Sequence, residues 1–188
     1  MRWPKNLSTV GLVLLGSWVL ALFARVELSL GPVPVTGQTL ALLIFAALAG
    51  ARIAVAAVAA YLLQGVLGAP FFAGGASGIA VLTGPTGGYL LGFLLAAAAV
   101  GALSSRARSF PGLLAVMALG HLVVLVPGVL RLSMKLGLGG AFEPGFLRLL
   151  PGAVLKTALA AAVVWLLRRP STGRSGAAPR TSTGPRSP

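Results

Sequence analysis

The chain has 188 residues, of which 57% are hydrophobic and only 9% charged, with a mean hydropathy of +0.96. About a quarter of a soluble domain's residues are charged, so this chain has too few to coat a water-facing surface and reads as an integral membrane protein. Fifteen Lys and Arg stand against two acids, Glu27 and Glu143, giving a net charge of +13. That excess reads as basic residues flanking membrane spans rather than as a nucleic-acid surface. Without cysteine, and with a single histidine, the sequence excludes disulfides and thiolate metal sites. Hydrolytic, redox and phosphoryl chemistry lack their usual residues.

A helix needs about 20 apolar residues to cross a bilayer core. The first apolar run extends from Ser8 to about Arg25. It lacks a small-residue cleavage pattern at its end, so it reads as a span and not as a signal peptide. Ser17 and Ala21, with Ala24 one turn on, form a small-residue face on it. Such a face suits packing against another membrane helix, within the protein or in a partner.

"VELSLGPVPVTGQ" (26–38) then breaks the helix with two prolines and two glycines. Gly50-Ala51-Arg52 splits the next apolar stretch into two short spans, 38–50 and 52–67. After the Gly-rich segment 68–88, a fourth span covers about 87–103, followed by the polar turn "SSRARSFPG" (104–112). A fifth span covers about 113–131. The segment 132–149, with Lys135, Glu143, Pro144 and Arg148, reads as a mixed outer connection. The sixth span, 150–167, ends before Arg168-Arg169. The tail 170–188 is rich in Pro, Ser, Gly and Arg and is expected to be disordered. Residues 1–169 are therefore one transmembrane domain followed by a basic cytoplasmic tail.

Six spans put both termini on one side. With that side inside, the inner segments hold ten basic residues: Arg2, Lys5, Arg52, Arg106, Arg108, Arg168, Arg169, Arg174, Arg180 and Arg186. The outer segments hold four, Arg25, Arg131, Lys135 and Arg148, and Lys156 lies within a span. The positive-inside bias selects N-in, C-in. The Pro/Gly loop 27–37, the loop 68–86 and the 132–149 segment then all fall on the outer face, where long loops can build a site.

Non-helical backbone at membrane depth must be buried in protein or line a polar cavity. In "GPTGGYLLGF" (84–93), Pro85 falls near the first turn of span four and Thr83 or Thr86 is placed to cap it. Free N–H groups at that helix start favour an anion or a carbonyl oxygen. Gly87, Gly88 and Gly92 admit close approach of either a helix or a ligand. Lys156, about a turn and a half into span six, either snorkels to the outer interface or faces the bundle interior and meets a ligand. His121 reads as a hydrogen-bonded core histidine. Gln38 and Thr36 are caps or ligand contacts; Tyr89 and Phe71-Phe72 are interfacial aromatics or stack on a ligand.

The stretch "PVPVTGQTLALLIFAALAGARIAVAAVAAYLLQGVLGAPFFAGG" followed by "GIAVLTGPTGGYLLGF" resembles the biotin transporter BioY family. These are substrate-binding S-components of energy-coupling factor (ECF) transporters. The likeness is collinear from about Val33 to Leu103 and resumes at "LPGAVLKTALAA" (150–161). It rests on "PVT-x-QT", "G-x-P-x-FAGG" and "GPTGGYLLGF" taken together. The resemblance implies a six-helix S-component in a bacterial cell membrane, binding biotin from the outer face, with Lys156, Gln38, Thr36, Phe72, Gly74, Gly75, Thr86 and Tyr89 as expected contacts. It implies an ECF transmembrane coupling subunit, docked on the small face at Ser17 and Ala21, and separate ATPase subunits. This chain has no ATP-binding motif, needs no cofactor on this reading, and sits among membrane lipids; a homo-oligomer is left open.

Two departures stand out. Gly37 occupies the x of "PVT-x-Q", where the family usually has a bulky residue. At the start of span six the family pattern Gly-Asp-x-x-Lys reads Gly152-Ala153-Val154-Leu155-Lys156, so the lysine carries over and the carboxylate does not. Glu143 replaces it only if the preceding segment folds back. Another small vitamin, or a structural role without ligand, is the competing expectation; a membrane enzyme fails for want of paired acid–base residues.

Overall fold

The computed structural model describes residues 8–28 and 31–169; the tail expectation for 170–188 lies outside them. The described chain is mostly helical. The elements in order are α1 (Thr9–Ala24), β1 (Glu27–Leu28), β2 (Val35–Thr36), α2 (Gln38–Ala49), α3 (Ala51–Val66), a 3-10 turn (Ala73–Gly75), α4 (Ile79–Thr83), α5 (Gly87–Leu103), α6 (Phe110–Phe142), a π turn (Glu143–Leu147) and α7 (Leu150–Arg168). Six of these are long helices, and α4 is little more than one turn.

The local causes are readable. Ser8 caps α1 by accepting from the Gly11 N–H at 3.1 Å, and Ser109 caps α6 by accepting from Gly112 N–H at 3.2 Å. Gly50, at φ 82°, joins α2 to α3 with no intervening loop. Such a backbone favours glycine. The expected side-chain cap on α5 does not form. Its N-cap, Thr86, makes no capping bond, and the Thr83 hydroxyl donates back to Ala80 O at 3.2 Å. Thr83 is already the last residue of α4, where carbonyls and not N–H groups are at hand.

The glycines of α5 do bring helices together. A Cβ on Gly92 would lie 2.8 Å from Val124 Cα, and one on Gly88 would overlap the Pro127 carbonyl. The α5–α6 seam is therefore set by backbone against backbone. Gly120 of α6 packs in the same way on Leu43 and Val100.

Two expectations need correction. Span five does not stop near residue 131. The helix runs on to Phe142, past Pro127 and through a non-helical Gly137 at φ 71°, and then passes into the π turn. Its basic and glycine residues look like loop in sequence, yet the turns still close. The small face of α1 is also not available to a partner. Ser17 is fully buried, Ala21 is 9% exposed, and Ser17 Oγ accepts from Gln64 Nε2 at 2.7 Å. Small side chains let α3 approach, and a Cβ on neighbouring Gly16 would meet Phe45 and Ala57. The outward stripe of α1 is bulky, with Val10, Leu14, Trp18 and Leu22 exposed.

Exposed leucines and valines recur on the long helices, among them Leu63, Leu91, Leu95, Val126, Leu130, Val154, Leu155 and Leu166. A patchwork this large suits lipid or partner contact and not water. Among the described residues, the run Phe110–Arg168 is long and apolar enough by itself to cross a bilayer, while α1, α2, α3 and α5 are shorter apolar helices.

Candidate functional site

At the end of the bundle where α1 gives way to β1, a cavity of about 480 Å³ opens between the helices. Ligand sites fall in the range of about 300–1,000 Å³ and are mostly apolar with a few placed polar groups. This one fits: Val33, Val35, Phe72, Val81, Leu90, Phe93, Val124, Leu125 and Leu149 supply apolar wall, with Thr36, Gln38, Thr39, Thr86, Tyr89, His121 and Lys156 among them.

One wall is built by the β1–β2 hairpin, in which Glu27 pairs with Thr36 and Leu28 with Val35. Thr36 is the centre of a polar chain. Its hydroxyl donates to Gln38 Oε1 at 3.1 Å, and Gln38 Nε2 donates to Tyr61 Oη at 2.6 Å. Its carbonyl accepts from Lys156 Nζ at 2.9 Å. Thus Lys156 does not snorkel outward: it reaches across from α7 to the hairpin and closes the cavity side. Among the described residues the one ion pair is Arg148–Glu143, so the lysine has no carboxylate within bonding distance.

A second wall comes from the 3-10 turn. Gly74 and Gly75 have φ 65° and 77°, which favour glycine, and the turn they form places Phe72. Phe72 is 1% exposed and meets the Tyr61 ring edge-on at 5.6 Å. Gly65 leaves room for that ring, because a Cβ there would overlap it. A third wall is the α4–α5 junction. Tyr89 lines the cavity while its hydroxyl donates to Gly145 O at 2.7 Å, tying α5 to the π turn. Arg131 Nη2 donates to Thr83 O at 2.8 Å and holds α4 against α6.

The cavity thus brings together six of the eight expected contacts: Thr36, Gln38, Phe72, Thr86, Tyr89 and Lys156. Gly74 and Gly75 are outside the wall. They shape the turn, with Glu27 beside the first and the Arg25 guanidinium beside the second. Ala153, where the family pattern has Asp, lines the cavity and is 6% exposed. Glu143 does not fold back to it; it pairs with Arg148 at 2.9 Å.

Three wall residues were not legible as contacts in sequence. Glu27 lies just beyond the first span and reaches the cavity only because the hairpin folds over it. Thr39 is the last residue of "PVT-x-QT", but in the first turn of α2 nothing in its type marks it as a contact. His121 is buried as expected, accepting or donating at Nδ1 with Thr157 Oγ1 at 2.8 Å, but its ring also forms part of the cavity wall.

A mostly helical bundle with a short hairpin and a mixed polar and apolar cavity at one end is a fold shared with a solved membrane-transporter component. The solved "S-component for biotin from an ECF-type ABC transporter" superposes with a TM-score of 0.78, covering 89% of this chain and 95% of that one at 22% identity, which fixes the fold. The profile of the BioY family matches residues 2–172, and the chain belongs to that family. Relatives include the biotin transporter BioY2 of Lactococcus lactis, 40% identical over 68% of this chain and 71% of that protein. The biotin transporter BioY of Thermotoga maritima is 33% identical over 84% of this chain and 90% of its own length.

Proposed function

We propose that the chain is the biotin-binding membrane subunit of a vitamin uptake system, in which the cavity between the hairpin, α4–α5, α6 and α7 captures biotin from the outer face with high affinity. The observation that carries this is convergence. The three motifs of the family likeness fall in separate stretches, 34–39, 68–75 and 84–93, and residues from each of them line one cavity together with Lys156, about 60 residues further on. Biotin has a ureido ring fused to an apolar thioether ring, and a carboxylate on a flexible arm. An apolar cavity with one ammonium, a Gln–Thr pair and a tyrosine matches that mixture.

On this reading the six long helices cross the membrane with both termini inside, and a separate ECF coupling subunit and ATPases power uptake. The bulky outer stripe of α1, and not Ser17 or Ala21, is left free for a partner or lipid. The absence of cysteine makes topology simple to test: Cys introduced at Ala76 should label from outside and Cys introduced at Arg106 from inside. Labelling of both from one side contradicts the six-span arrangement.

The function is tested by titrating biotin into the purified protein, with riboflavin and thiamin as comparison ligands. Saturable one-to-one binding of biotin alone is expected. No biotin binding by folded protein, or preference for another vitamin, contradicts the reading. The second outcome has one specific motive, Ala153 in place of the family's carboxylate.

A further inference from the structure

Two polar atoms in the wall of this cavity are buried with no hydrogen-bond partner among the described residues, Thr39 Oγ1 and His121 Nε2. Gln38, Tyr89 and Lys156 are already engaged, Gln38 with Thr36 and Tyr61, Tyr89 with Gly145 and Lys156 by one bond with Thr36, while Glu27 brings a carboxylate to the hairpin side of the wall. Leaving a buried polar atom unpaired is unfavourable, so such atoms in a cavity wall point to what the cavity takes. His121 is the more informative, because its ring is 5% exposed and its other nitrogen is fixed.

Two oxygens face Nδ1, and which of them makes the hydrogen bond decides the tautomer. Thr157 Oγ1 lies 2.8 Å from Nδ1, and Met117 O lies 3.3 Å away. Met117 O, four residues back along α6, can only accept; it also receives the helical N–H of His121, and at 3.3 Å it is the longer of the two contacts. The Thr157 hydroxyl can donate or accept and makes no other hydrogen bond among the described residues; the shorter contact at Nδ1 gives its proton a partner when it donates there. Neutral imidazole carries one N–H and one acceptor; with Nδ1 accepting, the N–H is at Nε2.

We infer that His121, held by Thr157, is a ligand-contacting residue that donates its Nε2–H to an acceptor oxygen of the bound molecule. Thr157 is the positioning residue, and it directly follows Lys156 in α7. Around the small Ala153 this part of the wall therefore offers two donors, an ammonium and an imidazole N–H, and no carboxylate. It selects a carbonyl or carboxylate oxygen, where an acid at 153 would have selected an N–H. This rests on the reading of the cavity as a biotin site, and biotin supplies both kinds of oxygen.

The test exploits the fact that His121 is the chain's single histidine. In protein labelled with nitrogen-15 histidine, the ring signals should report the Nε2–H form without ligand, and biotin should shift the Nε2–H resonance. The Nδ1–H form overturns the inference whatever biotin does. Biotin affinity is then compared for the parent, His121→Phe and His121→Gln, each checked for an unchanged melting temperature. Phe keeps the ring and removes the donor, so binding should weaken by about fivefold or more; Gln restores an N–H and should recover most of it. If His121→Phe proves unfolded, Thr157→Val serves in its place: releasing Nδ1 should move the ring signals toward the Nδ1–H form and weaken binding. Folded His121→Phe with the parent's affinity sinks this inference alone. A folded parent that does not bind biotin sinks the functional reading, and this inference with it.

Discussion

The two ends of the bundle finish their helices in opposite ways. At the Gly50 and Ser104 end, the inner end on the proposed topology, the connections are tight, and one arginine ties them together: Arg168 donates from Nη1 to Ser104 O and from Nη2 to Ala47 O, both at 2.6 Å. Those carbonyls end α5 and α2, where a cation is favoured by the unsatisfied C=O groups. At the outer end the chain spends a hairpin, a 3-10 turn, α4 and a π turn, and the helix ends stay apart. The inner end also has a recess, of about 660 Å³, lined by small and apolar residues with Ser104, Ser105, Trp165 and three arginines, but among the described residues it has no chain of side-chain bonds like Thr36–Gln38–Tyr61. Volume alone therefore does not mark a site; converging polar groups on an apolar wall do.

If the outer end is the binding end and the inner end a brace, changes at the two should separate binding from stability. The largest effect is expected at Lys156. Lys156→Ala removes a charged donor from the cavity wall, and hydrogen bonds to charged groups contribute about 1.5–3 kcal/mol, so biotin binding should weaken roughly 10- to 150-fold. An unchanged dissociation constant in calorimetry would show that the lysine only braces the hairpin through Thr36.

Next is the seam that both ends share. Gly92→Ala forces a methyl against Val124 backbone, and overpacking of this kind costs about 1–3 kcal/mol. Thermal unfolding in detergent should begin lower. Since Val124 and Leu125 line the cavity, affinity should fall as well. A variant as stable as the parent would mean that the seam is looser than its geometry.

A smaller and one-sided effect is expected at the brace. Arg168 is part-buried and makes two charge-assisted bonds, so Arg168→Gln should cost about 1–2 kcal/mol after allowance for solvent. Biotin affinity should not change. Loss of affinity with unchanged stability would reverse the roles assigned to the two ends.

The smallest change is expected for Ala153→Asp. Position 153 lies three residues before Lys156, on a shared face. The new carboxylate gains Lys156 but bears a desolvation cost, so biotin binding should be maintained or modestly tightened, and only while Lys156 is present. A double-mutant cycle over 153 and 156 reads that coupling. Marked weakening in a folded protein would mean that the wall has been rebuilt around the alanine.

What sequence revealed follows the same division. The bounds of α1, α2, α3, α5 and α7 agree with the apolar runs to within a residue or two, because Gly50, the Pro/Gly segments and Arg168-Arg169 punctuate them. The extension of α6 was hidden by Lys135 and the glycines at 137, 139 and 140, which read as loop although the helix closes over most of them. Which side of α1 faces inward could not be read, because that helix is apolar all round and its period marks no inner stripe. Residue type left Thr36, Gln38, Phe72, Thr86, Tyr89 and Lys156 open between caps, interfacial groups and contacts, and the BioY resemblance is what singled them out as contacts. Glu27 enters the wall only through a hairpin pairing with Thr36, and His121 through a helix seam; both depend on tertiary contacts that no local pattern encodes.

The central claim, that the outer cavity holds biotin, is tested most directly by photo-crosslinking. A photoreactive biotin analogue would be bound to the purified protein, irradiated, and the labelled residues mapped by mass spectrometry, with and without excess biotin. The account predicts label within residues 33–39, 72–93, 121–125 and 149–157, abolished by biotin. Label concentrated at 47–50, 101–113 and 165–169, or label that biotin does not displace, would contradict it.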